Sequence, residues 1–351
     1  MEASHATFHT TVGAPNLSLK PTVELIEYVV GQITTPKIYT RPPGIIIDVA
    51  QFQPTDRPIE DRFSVDFDIS QNRLIVGLYD GHGGSETAHY ISNELPLRLL
   101  HHSRSSAEHI RQFKELDESI IHDFRHDHSI MRRKSNEWVH HAQLIKSGST
   151  ALILDIDFES MEAAYANAGD CRMVVCDPNS TAILLQTEDM NMSTSSERER
   201  LAREHPHEEQ MIVGGRLFGR LMCTRGFGDG YFKLPIGVFG QHRRYIDTLS
   251  AIEKRGKIPM NCQYAPLFHA YKTPPYITPV PVTGTCQLRK GHLIVLATDG
   301  FWDLISSQNA MDIAFEGLRT DGVEDLARYL LDRVKTMYAP DDDITLIVMR
   351  L

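Results

Sequence analysis

From Gly44 onward the chain alternates between two hydrophobic rhythms with no linker between them. Leu74-Ile75-Val76-Gly77-Leu78-Tyr79 is a continuous apolar run that stops at Asp80, which predicts a buried strand. Residues 151–157, 163–167 and 172–176 follow one another closely, with turn residues at Glu159-Ser160 and Gly169-Asp170. Connections that short predict antiparallel neighbours. Residues 292–297 and 344–349 read as two more buried strands. Helical spacing runs over 85–100, with Ser85 as a plausible cap, and over 107–127, where Ile110, Phe113, Leu116, Ile120, Ile121 and Phe124 recur. Residues 306–318 and 323–338 are amphipathic as well. Antiparallel strands with a few long helices predict an α+β fold, two antiparallel sheets packed face to face and flanked by helices as a four-layer αββα sandwich. Two stretches break this pattern. Residues 1–44 read as an N-terminal extension with one helix around 22–32. Residues 230–275, rich in Pro, Gly and Tyr, read as a surface flap inserted in a domain spanning 45–351.

Composition narrows the function classes. With 351 residues, 41% hydrophobic and 23% charged, the chain can bury a large core without disulfides. Its five cysteines, Cys171, Cys176, Cys223, Cys262 and Cys286, are odd in number and scattered, as reduced core thiols of an intracellular protein would be. The net charge of −10 argues against a general nucleic-acid binder and against a basic membrane-surface patch. No apolar run is long enough to span a bilayer, so no membrane insertion is expected. Met1-Glu2-Ala3-Ser4-His5 does not open a signal peptide, and the first lysine or arginine is Lys20, unlike a mitochondrial presequence. The expectation is a monomer in a reducing compartment, cytoplasm or mitochondrial matrix, without a clear presequence.

The chemistry lies where strands end. Apolar runs stop at Asp80-Gly81-His82-Gly83-Gly84 and at Asp299-Gly300-Phe301-Trp302-Asp303, and Asp341-Asp342-Asp343 introduces the last strand. Glu60-Asp61 lies upstream, and Asn167-Ala168-Gly169-Asp170 closes another strand. One Asp-Gly after a strand is usually a turn, and Gly83-Gly84 alone could be a tight bend. The conjunction carries the weight. Mg²⁺ and Mn²⁺ want oxygen ligands, and carboxylates at strand ends can converge on one rim of a sheet, where a metal pair removes their mutual repulsion.

These stretches resemble the metal-dependent protein phosphatases of type 2C, the PPM family. The matching segments run in the family's order: Pro58-Ile59-Glu60-Asp61-Arg62, Tyr79-Asp80-Gly81-His82-Gly83-Gly84, Ser147-Gly148-Ser149-Thr150-Ala151, Ala168-Gly169-Asp170-Cys171-Arg172, Thr224-Arg225-Gly226-Phe227-Gly228-Asp229, Ala297 through Asp303, and Asp342-Asp343-Ile344-Thr345. Glu197-Arg198-Glu199-Arg200-Leu201, Glu204-His205-Pro206, Arg216-Leu217-Phe218-Gly219 and Thr273-Pro274-Pro275-Tyr276 are similar to the pyruvate dehydrogenase phosphatase branch. The resemblance implies hydrolysis of phosphoserine or phosphothreonine in phosphorylated protein substrates by a metal-activated water, and the closer branch implies a pyruvate dehydrogenase-like substrate. It implies two Mg²⁺ or Mn²⁺ per chain and room for a weaker third. By the same resemblance Asp80 bridges both metals, the Gly81 carbonyl ligates one, and Asp299 and Asp342 complete the other. Glu60 and Asp61 bind directly or through water, Asp170 and Asp303 match a third site, and His82 protonates the leaving oxygen. Many relatives carry an arginine four residues before the metal Glu. Here Asp56 stands there, and Arg57, one residue later, is the substitute candidate for substrate phosphate. Relatives' Asp-His pair is Asp189-Met190 here, and Asp341 replaces a basic or polar residue.

Other features read more plainly. His101, His102, His109, His122, His126, His128, His140 and His141 crowd one region, where solvated helix faces outweigh a zinc site. Arg216, Arg220 and Arg225 could meet phosphate, but arginines more often pair with the protein's own carboxylates. Trp302 reads as a packing anchor. The rival functions are a pseudophosphatase scaffold of the same fold, which loss of metal carboxylates would mark, and a hydrolase of small phosphates, which a deep closed pocket would mark.

Overall fold

The structure, a computed structural model, describes residues 22–25, 38–42, 44–127, 136–177, 179, 182–234 and 271–351. Side-chain parity builds the architecture. Along Arg73–Tyr79, Leu74, Val76 and Leu78 enter one apolar cluster, while Ile75 and Tyr79 enter another. The neighbouring strand Ala151–Asp157 divides the same way, Leu152, Leu154 and Ile156 against Ala151 and Ile153. A strand buried on both faces needs a layer on each side.

Two five-stranded antiparallel sheets supply the inner layers. The first runs Ala182–Gln186, Arg172–Asp177, Leu293–Ala297, Ile344–Arg350, Ile46–Phe52 from edge to edge. The second runs Val282–Gln287, Glu162–Ala168, Ala151–Asp157, Arg73–Tyr79, Arg62–Asp68. Their inner faces meet in one cluster, with Leu74 and Leu154 from the second sheet against Met173, Leu296 and Ile347 from the first. Each fully buried leucine there contributes roughly 1.5–3 kcal/mol. Helices Glu86–Leu100 and Ser106–Asp127 cover the outer face of the second sheet through Ile91, Leu95, Phe113 and Leu116. Helices Ser307–Arg319 and Leu326–Met337 cover the first through Met311, Phe315, Leu330 and Val334. The layers are helix, sheet, sheet, helix, as expected.

Local chemistry corrects several details. Thr22–Leu25 is a strand paired antiparallel with Ile38–Arg41 and not the start of a helix. Both segments are rich in β-branched residues, which favour extended backbone. Residues 26–32, the rest of the expected helix, lie outside the described residues. The helix expected over 323–338 begins later, at Leu326, because the Asp325 side chain accepts the Arg328 N–H and caps it there. Glu162–Ala168 and Arg172–Asp177 are not neighbours despite the short turn between them. They belong to opposite sheets, and at Gly169 (φ 149°) the chain leaves one sheet for the other. Of the expected surface flap, residues 235–270 lie outside the described residues. Lys272, Thr273 and Pro275 at its far end are exposed, but residues at both ends also turn inward. Tyr231, Phe232, Leu234 and Tyr271 are buried with Leu217, Phe218 and Tyr276.

His109 also departs from a solvated helix face. It is fully buried, and its Nε2 lies 2.9 Å from Asp155, which also receives two bonds from Arg73 at 2.9 and 2.7 Å. His101 and His102 instead turn their Nδ1 atoms to the carbonyls of Leu97 and Arg98, at the end of their helix. His128 lies outside the described residues. The Arg73–Asp155–His109 triad ties the second sheet to its covering helix. Asp155→Ala would strand a buried guanidinium and lower stability by about 3–5 kcal/mol, read from urea unfolding. A loss below about 1 kcal/mol, the scale of an exposed pair, would contradict this assignment.

Candidate metal centre and active site

Strand register gathers the acidic residues. In the second sheet Arg62 pairs with Tyr79, so Asp61 and Asp80 leave that sheet side by side. In the first, Arg172, Ala297 and Leu346 lie in one row, which brings Asp170, Asp299 and the Asp342-Asp343 turn to the same end. The crossing at Gly169 makes the two ends a common rim. Thr298 stitches the sheets there. Its hydroxyl donates to Asp61 at 3.0 Å and accepts the Thr345 N–H at 2.9 Å. Glu60 N–H donates to Asp343 Oδ2 at 2.6 Å. Gly300 permits this closeness, since a Cβ there would stand 2.2 Å from the Asp343 carbonyl oxygen.

Asp80, Asp170 and Asp299 result as a trio whose carboxylate oxygens lie within 4.8 Å of one another. Asp61 is 1% exposed and its Oδ1 has no hydrogen-bond partner. Burial, and then the charges of Asp299, Asp61 and Asp170, push the Asp80 carboxyl far above the carboxylate range. Burial and the charge of Asp343 do the same to Asp61. Burial with the charge of Asp299 raises Asp170 to about 8. Asp299, raised chiefly by burial, stands at about 6. Glu60 is raised by burial as well. The dominant neighbours of Asp80 are therefore other carboxylates and not cations. An all-oxygen donor set, an orphaned buried carboxylate oxygen and uncompensated negative charge fit hard divalent cations.

The other expected residues are placed as follows. Gly81 pairs with Ser149 beside the trio. Asp342 is exposed and accepts the Asp343 N–H at 2.8 Å, so Asp343 is the member of the aspartate run that reaches Glu60. Asp303 is exposed, one helical turn beyond Asp299. Arg57 is exposed on the loop before Glu60. Arg225 is held by Glu197, which also binds Arg200 and the Thr224 hydroxyl. Trp302 is an anchor, its indole donating to the carbonyls of Ala297 and Arg172. Arg172 clasps Asp189 through two nitrogens and lies over the Trp302 ring.

His82 has a partner that sequence reasoning missed. Its Nε2 lies 2.9 and 3.1 Å from the two Asp229 oxygens. Burial alone would depress the imidazole, but the charge and hydrogen bond of Asp229 outweigh it and hold His82 above its ordinary value. Asp229 stands in a left-handed conformation (φ 54°), which aspartate tolerates. The segment carrying it is nailed down by Lys233, whose buried ammonium donates to both Asp117 oxygens at 2.8 Å and to the Gly226 carbonyl at 2.7 Å. Gly148 leaves room for the pair, since a Cβ would meet His82 Nε2 at 2.2 Å. The signal for Asp229 was its place beside glycine in the Thr224-to-Asp229 stretch, with nothing to say which side chain it would face.

The model of the family described as Protein phosphatase 2C matches residues 47–342. The chain belongs to the protein phosphatase 2C family. A protein phosphatase 2C homolog of Schizosaccharomyces pombe is 29% identical over 269 residues, covering 70% of this chain and 56% of that protein. The human protein named mitochondrial pyruvate dehydrogenase (acetyl-transferring) phosphatase 2 is 26% identical over 321 residues, covering 72% of this chain and 58% of its own. The chain thus spans little more than half the length of these relatives. Among solved structures, a phosphatase from Toxoplasma gondii shares the fold at TM-score 0.61 and 16% identity, covering 88% of this chain and 92% of that one.

The raised carboxyls give a stability signature with a definite sign. A folded-state pKa above the unfolded value makes the metal-free native state bind more protons than the unfolded chain, so its stability falls as pH rises. The contribution is intact below about 4, the unfolded value, and is lost as pH passes about 6 and about 8, the folded values of Asp299 and Asp170. In EDTA, melting temperature should fall between pH 5 and 8, and saturating Mn²⁺ should reverse the trend by mass action. Asp80→Asn should flatten the slope without lowering metal-free stability. If that variant instead melts far lower without metal, Asp80 is a structural turn residue.

Proposed function

We propose that this chain removes phosphate from phosphoserine and phosphothreonine in other proteins. The observation that carries this reading is the trio Asp80, Asp170 and Asp299 at a common rim, with His82 two residues from Asp80. In this reading Asp80, the Gly81 carbonyl, Glu60, Asp61, Asp299 and Asp342 hold two Mg²⁺ or Mn²⁺. Asp170 and Asp303 serve a third, and the position of Asp170 beside Asp80 and Asp299 favours that role. Bound divalent cations of this kind lower the pKa of a shared water and stabilise charge on the phosphoryl group. The chain's own residues do the rest. His82 gives the leaving oxygen its proton. Asp229 fixes the ring by holding Nε2, which leaves Nδ1 as the nitrogen that delivers the proton. Arg57 is the exposed cation on the loop beside Glu60 and is assigned to substrate phosphate.

The scaffold alternative has no observation in its favour, since every carboxylate of the expected set is present. A pyruvate dehydrogenase-like phosphoprotein is the proposed substrate, on the strength of the human relative's name and of the Glu197-to-Leu201 stretch, which here clamps Arg225. Cys171, Cys176, Cys223 and Cys286 are free thiols, in keeping with a reducing compartment, cytoplasm or mitochondrial matrix. No helix among the described residues is long and apolar enough to cross a membrane.

The purified protein should dephosphorylate a phosphothreonine peptide with Mn²⁺ or Mg²⁺ and stop in EDTA. Undiminished turnover in EDTA would sink the reading. His82→Ala should lower kcat on the peptide by about 10²-fold or more, with a smaller loss on p-nitrophenyl phosphate, whose leaving group needs no proton. Asp229→Asn should show the same split between substrates in weaker form. Equal losses on both substrates would remove the acid role from His82.

A further inference from the structure

Beside the oxygen-lined trio lies a second constellation of different chemistry. His82, Cys223 and Asp229 present an imidazole nitrogen, a thiol sulfur and a carboxylate oxygen within 4.8 Å of one another. The three come from separate segments: the turn after Arg73–Tyr79, the stretch after Arg216–Leu217, and the residue before the short helix Gly230–Lys233. Cys223 and Asp229 are anchored separately, and Asp229 in turn holds the His82 ring at 2.9 Å. Cys223 is 5% exposed and lies in backbone register with Asn191. Asp229 is held through Lys233 and Asp117, and its own N–H donates to the Ser147 carbonyl at 3.0 Å. His82 keeps 28% of its side chain exposed, which leaves one side open to water. Asp170, Asp80 and Asp299 lie close enough to Cys223 to make the surroundings negative.

We propose that His82, Cys223 and Asp229 form a binding site for a borderline-soft divalent cation of the Zn²⁺ class, distinct from the carboxylate site and inhibitory. Thiolate, imidazole and carboxylate with one open position is a zinc donor set, whereas Mg²⁺ and Mn²⁺ prefer oxygen alone. With metal–ligand bonds of about 2.0–2.3 Å, tetrahedral geometry asks for ligand separations of about 3.3–3.6 Å. The three atoms stand within 4.8 Å of one another, so binding has to draw the longer separations in to that range. Binding forms Zn–S, Zn–N and Zn–O bonds and releases the thiol proton, together with any proton on Nε2. The cation takes the place of the proton shared by His82 and Asp229, so Nδ1 keeps its proton as part of a metal-bound neutral imidazole, a far weaker acid than an imidazolium. The inhibitory consequence rests on the phosphatase reading proposed above. The binding itself does not.

The probe is Co²⁺, a spectroscopic stand-in for Zn²⁺, added to the full chain in saturating Mg²⁺. The wild type should develop a thiolate-to-cobalt charge-transfer band, which Zn²⁺ abolishes. Cys223→Ala should lack the band, and Cys223→Ser, closer in size, serves if the alanine variant does not fold. Asp229→Asn should weaken Co²⁺ binding by about tenfold or more, the scale for losing one supporting group of a metal site. On a phosphopeptide, half-inhibition by Zn²⁺ should move upward by a similar factor in Cys223→Ala, each protein referred to its own uninhibited rate. No band in the wild type, or a band that survives loss of Cys223, overturns the site. Inhibition unchanged by Cys223→Ala and relieved by excess Mg²⁺ would place Zn²⁺ at the carboxylates instead and overturn the inhibitory role. A Cys223-dependent band in a protein without phosphatase activity would uphold the site while defeating the phosphatase reading.

Discussion

Like charges brought together in a confined place are the constraint around which this molecule is arranged. Asp61, Asp80, Asp170 and Asp299 meet where the two sheets end, and the strongest influences on Asp80 beyond burial are its fellow carboxylates. Such repulsion opposes folding, and local polar bonds cannot remove it. The scaffold must therefore be stiff enough to hold the group while the charge is uncompensated. The stiffness comes from strands that are buried on both faces, and from Thr298, whose single hydroxyl connects the ends of both sheets.

Around that rim the chain uses buried and half-buried ion pairs as fixtures and not as sources of stability. Lys233 with Asp117 fixes the segment that carries Asp229. Glu197 with Arg200 and Arg225 fixes the stretch that carries Cys223 and Thr224. Arg172 with Asp189 fixes the start of the strand that follows Asp170. A buried pair adds little net stability against apolar residues of similar volume, but breaking one is expensive. Each pair thus limits where the chemically active side chain beside it can go.

How much of this was legible in the sequence depends on how local each signal was. The strand over 73–79 and its terminal Asp80 were plain because an uninterrupted apolar run has few other readings. The αββα layering followed from closely spaced strand runs and a few long stretches of helical spacing. The crossing at Gly169-Asp170 was misread because a short turn has the same composition whether it joins two neighbours or leads to another sheet. Only the pairing of Arg172 with Ala297 decides between them. Strands such as Val282–Gln287 were missed because half-exposed edge residues carry no clear hydrophobic rhythm. The partner of His82 was illegible for a further reason. Asp229 lies far from it along the chain, and no periodicity reports a contact of that separation.

The pairing of Ile46–Phe52 with Ile344–Arg350 has a consequence for how the protein is made. Phe52 aligns with Ile344 and Ile46 with Arg350, so an edge of the first sheet forms only when segments nearly the whole chain apart find each other. Pairings of such separation form slowly, because loop-closure entropy must be overcome before any contact rewards it. During synthesis, residues 46–52 leave the ribosome long before their partner exists. The proposed ligand set, too, is drawn from Glu60 to Asp342, so on that proposal no nascent fragment would carry a complete site. Cation capture by that set would accordingly be a late event that reports completed folding, and a chaperone holding the early strands apart would delay both together.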